Sequence, residues 1–280
     1  MSKRIAYLGP AGTFTEQAAM LYDGRAQHIP FASIPAVAAA VDTGMVEEGV
    51  VPIENSIEGS VNDTLDLLIH ESRVLITREL VLPIEHLLLV KPGTQADSVQ
   101  MIFSHPQALA QCRKFLERCF PKAAAVAALS TAAAVEEMVK SDKPSAAIGG
   151  QRAADLWEAE ILARGIQDHS PNVTRFVVLA SHDHPATGFD KTSLCFSVAG
   201  DHPGALVDVL VEFSQRSINM AKIESRPSRE SLGRYIFLVD LEGHRDDPLI
   251  AEALSWLQAK TDMFKVFGSY PRSTENNQGG

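Results

Sequence analysis

The stretch RIAYLGPAGTFTEQAAMLY, residues 4–22, decides the fold class. It begins with a short apolar run typical of a β-strand, turns through GPAG, and ends in a pattern typical of an α-helix. The same order recurs as HIPF followed by IPAVAAAVD, and as GVVPIE followed by VNDTLDLLIH. Because alternating strands and helices form layered sheets, the sequence predicts an α/β domain with a largely parallel sheet.

A second set of strands and helices begins near Leu82 and Pro83, where the pattern indicates a crossing between two α/β lobes. Strands are predicted in IEHLLLV, VQMIFS, AAAVAA and AAIGG, and helices in QALAQCRKFLERC, TAAAVEEMV and QRAADLWEA. We therefore predict a first domain over residues 1–181. One lobe comprises about residues 1–80 with 172–181, and the other residues 82–171.

The pattern changes after a linker at residues 181–191. TSLCFSVAG alternates as a strand, and DHPGALVDVLVEF is an amphipathic helix. Two strands, INMAKIESRP and RYIFLVDLEG, precede a helix in DPLIAEALSWLQAK and a last strand in FKVFGSY. The order βαββαβ predicts a ferredoxin-like domain over residues 192–270.

The composition argues against nucleic acids and membranes as partners. The chain has 25 Lys and Arg against 35 Asp and Glu, a net charge of −10, which disfavours anionic surfaces. The opening MSKRIAYLGP has too short an apolar run for a signal peptide, and no stretch reaches the roughly 18 apolar residues of a membrane span. Three cysteines without metal-ligand spacing fit a reducing compartment. We expect a cytoplasmic protein without a metal site.

Four short motifs place hydrogen-bonding side chains at strand ends or strand starts in both predicted lobes. Each alone is equally well explained as a turn or a helix cap. Together they can meet across one cleft, where open α/β sheets bind ligands, and no Ser/His/Asp order, metal cluster or P-loop competes for that position. The motifs are GPAGTF with Thr13, ENS with Glu54, Asn55 and Ser56, SHPQ with Ser104 and Gln107, and NVTRF with Asn172, Thr174 and Arg175.

In this order, GPAGTFTEQAA, PIENSIEGSV, SHPQALAQC and NVTRF closely resemble the prephenate dehydratases, and HPGALVDVL with KIESRPSR resembles the ACT regulatory domain that this family carries. The resemblance implies conversion of prephenate to phenylpyruvate with loss of water and carbon dioxide. It also implies a two-lobed, periplasmic-binding-protein-like α/β domain with the site between the lobes. No cofactor is expected, because formation of the aromatic ring drives the reaction.

The resemblance also implies roles for individual residues. Thr174 is the favoured acid, and Glu54, Asn55 and Gln107 are expected to line the catalytic pocket. Arg175 either holds the substrate or supports the surrounding backbone. The expected substrate-binding residues are Thr13, Ser56, Ser104, Arg175 and Phe176.

In relatives with an ACT domain, phenylalanine binds between subunits. The free amides of a helix start are suited to its carboxylate, and the implied effector site comprises Gly204, Ala205, Leu206, Glu224, Ser225, Arg226 and Pro227. A bare dimerisation module with a hairpin salt bridge is the alternative. The expected partners are prephenate, L-phenylalanine as effector, and further copies of the chain in a homodimer or homotetramer.

Two other functions stay open on the sequence alone. A dehydratase that prefers arogenate needs an additional acceptor for the substrate amino group. A non-catalytic amino acid sensor, made of a binding fold and a sensing domain, is disfavoured by Thr174 and Gln107 and by the missing signal peptide. Because no helical chorismate mutase segment precedes Ile5, we expect a monofunctional enzyme.

Overall fold

The strand, turn and helix that open the sequence are present in the computed structural model, which describes residues 2–198, 203–228 and 234–273. Strand β1 spans Arg4–Leu8, and helix α1 spans Phe14–Tyr22. The Thr13 hydroxyl caps the helix by accepting a hydrogen bond from the Glu16 backbone amide at 3.3 Å. Gly12 has φ +88°, which glycine adopts without strain, so the chain can turn sharply there.

The remaining elements follow in chain order. They are β2 Gln27–Phe31, α2 Ile34–Asp42, β3 Glu48–Asn55, β4 Gly59–Ser60, α3 Asn62–Asp66, a π-helical turn Leu67–Glu71, β5 Leu75–Pro83, β6 Leu87–Val90, a 3-10 turn Ala96–Ser98, β7 Met101–Ser104, α4 Pro106–Gln111, α5 Arg113–Cys119, β8 Ala124–Ala127, α6 Thr131–Lys140, β9 Ser145–Gly149, α7 Gln151–Leu156, β10 Glu160–Ala163, β11 Val173–Ala180, β12 Asp190–Val198, α8 Ala205–Gln215, β13 Met220–Pro227, β14 Tyr235–Glu242, α9 Pro248–Lys260 and β15 Thr261–Pro271.

The first sheet has the order β2-β1-β3-β11-β5, with β4 paired to β3. Strand β1 is parallel to both β2 and β3, as the sequence predicts. Strand β11 comes from far along the chain and lies beside β3, so the NVTRF and ENS motifs become neighbours. Strand β5 was not predicted, because Arg78 and Glu79 interrupt its apolar pattern. Glu79 is buried there and forms an ion pair with Lys191 at 2.9 Å.

The second sheet has the order β10-β6-β9-β7-β8. Strands β8 and β9 are parallel to β7, whereas β6 and β9 are antiparallel, as are β6 and β10. The helix predicted in QALAQCRKFLERC is divided into α4 and α5 at Cys112, whose backbone angles of φ −111° and ψ 13° depart from the α-helical region.

The C-terminal elements follow the predicted βαββαβ order and form a sheet with the order β13-β14-β12-β15. Neighbouring strands are antiparallel. Side chains from one face of this sheet and from α8 and α9 form a common apolar core, which includes Phe196, Phe213, Leu241 and Leu257. Burial of this core accounts for much of the domain's stability. Among the described residues, no helix is long and apolar enough to span a membrane.

The described residues form two compact units, one within residues 1–64 and 80–176 and the other within residues 65–79 and 177–280. The segment 65–79 therefore groups with the C-terminal residues rather than with its sequence neighbours. Lys265 donates to the backbone carbonyls of Ile69 and Ser72, at 3.4 and 2.7 Å. A Cβ atom at Gly268 would lie 2.2 Å from the carbonyl oxygen of Ile76, so only glycine allows this approach of the two backbones.

Candidate active site

A cavity of about 510 Å³ lies within the first compact unit. None of the described residues that line it is an Asp, Glu, Lys or Arg. Its apolar wall includes Phe14, Ile84, Leu129 and Phe176. The polar side chains in its lining are Thr13, Thr15, Asn55, His86, His105, Gln107, Gln111, Ser130, Thr131, Asn172 and Thr174.

Thr174 lies on β11 and is buried. Successive side chains of a strand alternate between the two faces of the sheet, and Thr174 and Phe176 line the cavity while Arg175, between them, does not. The Thr174 Oγ1 atom accepts a hydrogen bond from Asn55 Nδ2 at 2.8 Å. Because this oxygen already accepts, the hydroxyl proton can be donated to another group.

The orientation of the Asn55 amide is fixed by the main chain. Its Oδ1 atom accepts from the backbone amides of Ile57 and Glu58, at 2.9 and 3.1 Å. Its two Nδ2 hydrogens therefore face the other way and are shared among three acceptors, which are Thr174 Oγ1, Asn172 Oδ1 at 2.9 Å and the more distant Val173 carbonyl at 3.3 Å. Backbone amides can only donate and carbonyls only accept, so the two ends of this side chain cannot exchange.

The hydrogen bonds continue from Asn172 to two residues that sequence reasoning missed. Asn172 Nδ2 and His86 Nε2 lie 3.2 and 2.9 Å from Gln111 Oε1, and Gln111 Nε2 donates to Glu58 Oε1 at 3.0 Å. Gln111 follows Gln107 by four residues, so the helical period of the SHPQALAQ motif places both on one face. We found no comparable signal for His86, which only precedes an apolar strand.

In the turn between β1 and α1, part of the capacity to bind an anion is already occupied by a carboxylate of the same chain. Gly12 donates its backbone amide to Glu16 Oε2 at 2.6 Å, and Glu16 also binds the guanidinium of Arg152 at 3.0 Å. The Thr13 hydroxyl donates to the Leu8 carbonyl at 3.3 Å. Thr13 thus lines the cavity as a helix cap, and the Gly12 amide is already bound to a carboxylate of the same chain.

Four of the sequence-predicted residues are placed outside this cavity lining. Glu54 and Arg175 form an ion pair with each other at 2.9 Å, because strand alternation turns them away from Asn55 and Thr174. Ser104 is fully buried and donates to the Ile148 carbonyl at 2.9 Å. Ser56 is exposed, and its hydroxyl accepts from the Val173 backbone amide at 3.0 Å. The structure brings Thr13, Asn55, Gln107, Thr174 and Phe176 together.

The residues expected to bind an effector lie at two places in the C-terminal domain. Gly204, with φ +96°, precedes α8, which begins with Ala205 and Leu206. Residues 224–227 end strand β13. Within them, Arg226 forms an ion pair with Asp66 at 3.0 Å, and both side chains are largely buried.

Comparison with known families identifies both parts of the chain. The family model described as prephenate dehydratase matches residues 5–184, and the ACT domain model matches residues 192–255. A bifunctional chorismate mutase/prephenate dehydratase of Aquifex aeolicus is 44% identical over 96% of this chain and 74% of that protein. A prephenate dehydratase of Bacillus subtilis is 40% identical over 95% of this chain and 98% of that protein.

Two solved structures are similar to this chain along nearly its whole length. A prephenate dehydratase from Arthrobacter aurescens in complex with L-Phe matches with a TM-score of 0.88 and 36% identity, over 96% of this chain and 90% of that one. A protein described as a quorum quenching acylase also matches, with a TM-score of 0.87 and 30% identity over 97% and 98% of the two chains. With both domain models and these relatives covering nearly its whole length, the chain belongs to the prephenate dehydratase family and carries a C-terminal ACT domain.

Proposed function

We propose that the cavity of the first unit is the site at which this dehydratase converts prephenate to phenylpyruvate, with Thr174 as the acid. The observation that carries the proposal is the amide of Asn55, which donates to Thr174 Oγ1 and leaves the hydroxyl proton available. In the reaction, the bond between the ring and its carboxylate breaks and its electrons enter the ring. As the ring becomes aromatic, the C–O bond of the ring hydroxyl breaks with its electron pair staying on the oxygen. This oxygen takes the proton of the Thr174 hydroxyl and leaves as water, and Thr174 regains a proton from solvent.

A threonine hydroxyl can assist this reaction only if the hydrogen bond that it donates becomes stronger as the reaction proceeds. Negative charge develops on the departing oxygen, so a hydrogen bond from Thr174 is stronger in the transition state than in the ground state. The bond that Thr174 accepts from Asn55 polarises its own O–H group in the same direction. Proton transfer is then concerted with C–O cleavage, because the hydroxyl is a weak acid by itself.

The neutral lining of the cavity supports loss of the ring carboxylate. Phe14, Ile84 and Phe176 provide an apolar environment that favours uncharged carbon dioxide over a carboxylate. Gln107 and Gln111 lie on one helix, α4, and can donate amide hydrogen bonds to the anionic groups of prephenate. Glu54 and Arg175, which pair with each other, are proposed to support the backbone of β3 and β11 around Asn55 and Thr174.

The direct test is the rate of phenylpyruvate formation from purified prephenate. Thr174→Ala is expected to lower kcat by about 10²- to 10³-fold, which is typical for loss of one such donor. Thr174→Ser keeps the hydroxyl and is expected to retain most of the activity. Near-normal turnover in Thr174→Ala would refute the acid role.

The same assay addresses the remaining alternatives. Comparison of kcat/KM for prephenate and arogenate decides substrate preference, and prephenate is expected to be the better substrate. The acylase activity named for one structural neighbour is not proposed for this chain. Its Thr174 hydroxyl bonds to an amide rather than to a histidine or carboxylate that could activate it as a nucleophile.

We also propose that L-phenylalanine binds the ACT domain and regulates the activity. The ACT match and the solved relative in complex with L-Phe support this. The start of α8 at Ala205 and Leu206 is the candidate site for the effector carboxylate, and Arg226 at the end of β13 is a second. If calorimetric titration detects no binding and activity does not change with phenylalanine, this part of the proposal fails.

We also propose that copies of the chain associate with one another and that the protein functions in a reducing compartment. Strand β13 lies at an edge of its sheet, and Ile223 and Tyr235 are about half exposed beside this edge, which favours pairing of two ACT domains. The three cysteines are free, as expected for a cytoplasmic protein. Sedimentation analysis of the full chain tests whether a dimer or tetramer forms.

A further inference from the structure

His86 lies in the wall of the cavity, and nothing in the mechanism above uses it. Its side chain is almost fully buried, at 3% exposure. Its ring packs edge-on against Phe14, with 5.9 Å between the ring centroids. Its Nε2 atom lies 2.9 Å from Gln111 Oε1, whereas its buried Nδ1 atom has no hydrogen-bond partner within the part of the chain that the structure describes.

The protonation of this ring follows from the fixed amide of Asn55. Since Asn55 presents Nδ2 to Asn172, Asn172 must present Oδ1 in return and turn its own Nδ2 towards Gln111. Gln111 then presents Oε1 to both Asn172 and His86. An oxygen acceptor requires a donor opposite it, so His86 carries its proton on Nε2 and leaves Nδ1 unprotonated.

The neutral form of the ring is the stable one in this environment. A second proton would have to reside on Nδ1, which is buried and has no acceptor among the described residues. Burial accordingly lowers the pKa of His86 below its ordinary value, against the hydrogen bond to Gln111, which raises it.

These hydrogen bonds also fix the orientation of the Gln111 amide, which matters for the reaction. With Oε1 held by His86 and Asn172, the NH₂ group of Gln111 faces the opposite way and donates one hydrogen to Glu58. An NH₂ group has two hydrogens, so the second is available in the cavity that Gln111 lines. In the reverse orientation the amide oxygen would face the substrate and repel its carboxylate groups.

We propose that His86 is a positioning residue that holds Gln111 with its NH₂ group directed to the anionic substrate. The inference rests on the proposed function of the cavity, and it predicts an effect mainly on substrate binding. His86→Phe keeps a ring against Phe14 but removes the Nε2 donor. We expect this variant to raise KM for prephenate about tenfold, the size of one hydrogen bond to a charged group, with a smaller effect on kcat.

Two further variants separate positioning from a purely structural role. His86→Gln restores an N–H donor near the former Nε2 atom and is expected to recover most of the affinity. In a Gln111→Ala background, His86→Phe is expected to cause little additional loss in kcat/KM, because the residue it positions is already absent. Equal impairment of the Phe and Gln variants, or additive losses in the double variant, would overturn the proposal.

A spectroscopic measurement on the full wild-type chain tests the protonation of His86 directly, independently of any activity assay. Nitrogen NMR of histidine-labelled protein is expected to show a neutral ring with a protonated Nε2, assigned to His86 by its absence in His86→Gln. A protonated Nδ1 at this residue would overturn the inference. If Thr174→Ala keeps full turnover while the His86 results hold, the acid role fails and the positioning role stands.

Discussion

Replacing Asn55 by Asp tests the direction of the hydrogen bonds at the site. The change is almost isosteric and exchanges the Nδ2 donor for an oxygen. This oxygen would face Thr174 Oγ1 at 2.8 Å, Asn172 Oδ1 at 2.9 Å and the Val173 carbonyl at 3.3 Å. The other carboxylate oxygen keeps the two backbone amides that Asn55 Oδ1 now binds, so the side chain cannot turn around to relieve the contact.

The expected result is a larger loss of turnover than truncation causes. The Thr174 hydroxyl would rotate to donate to Asp at position 55, which removes the donor from the leaving group and costs about 2.7–4 kcal/mol, or 10²- to 10³-fold in kcat. Asn55→Ala leaves Thr174 free to donate and is expected to lose less. The native fold should also lose about 1–3 kcal/mol in Asn55→Asp, because the buried Asn172 Oδ1 atom loses its donor and then faces another acceptor.

The assay is phenylpyruvate formation at saturating prephenate, with thermal unfolding measured in parallel to confirm that each variant is folded. A carboxyl surrounded by oxygen acceptors favours its protonated form, which can donate again. We therefore expect the activity of Asn55→Asp to recover partly as the pH is lowered, relative to wild type at each pH. The reasoning is refuted if Asn55→Asp turns over as fast as wild type, or faster than Asn55→Ala.

Three further predictions concern regulation, thiol chemistry and stability. Asp66→Asn removes the carboxylate that competes for the Arg226 guanidinium. Calorimetry should therefore show tighter phenylalanine binding, by about tenfold, which corresponds to 1.4 kcal/mol. Unchanged or weaker binding would contradict the proposed role of Arg226. Burial raises the pKa of the Cys112 thiol to about 12, whereas Cys119 is exposed, so mass spectrometry after brief alkylation at pH 8 should find Cys119 modified and Cys112 intact. The pKa of His86 is lowered from 6.5 by burial, so below that pH the unfolded chain binds a proton that the folded chain does not. Through His86, the free energy of unfolding should therefore decrease as the pH falls from about 6.5 to the pKa of His86 in the folded state. His86→Phe should lessen this pH dependence.

The fold was predictable where the sequence pattern is local. The first strand, turn and helix and the C-terminal βαββαβ order each follow from hydrophobic period and cap residues within a few positions. Strand β5 escaped prediction because Glu79 is buried within it, and a buried carboxylate is tolerated there only through Lys191, 112 residues away. The division of the helix at Cys112 also had no sequence signal that we recognised.

The residues of the candidate site likewise fall into those that local sequence motifs predicted and those that depend on contacts distant in the chain. Sequence motifs identified Asn55 and Thr174, which are 119 residues apart in the chain. In the structure, Asn55 Nδ2 lies 2.8 Å from Thr174 Oγ1. They did not identify His86, whose importance rests on a contact with Gln111 rather than on its neighbours in the chain. They also gave no indication that Glu54 and Arg175 pair with each other.

The sequence by itself determined the family, the order of the elements and the residue types available for chemistry, because these depend on local pattern and on the motifs. Only the tertiary structure decided which side of each strand faces the cavity and which atom of each amide donates. Those properties depend on the pairing of β3 with β11 and on backbone groups at Ile57, Glu58 and Val173. A hydrogen bond has a direction that is set by the partner at its other end, and here those partners are brought together by folding.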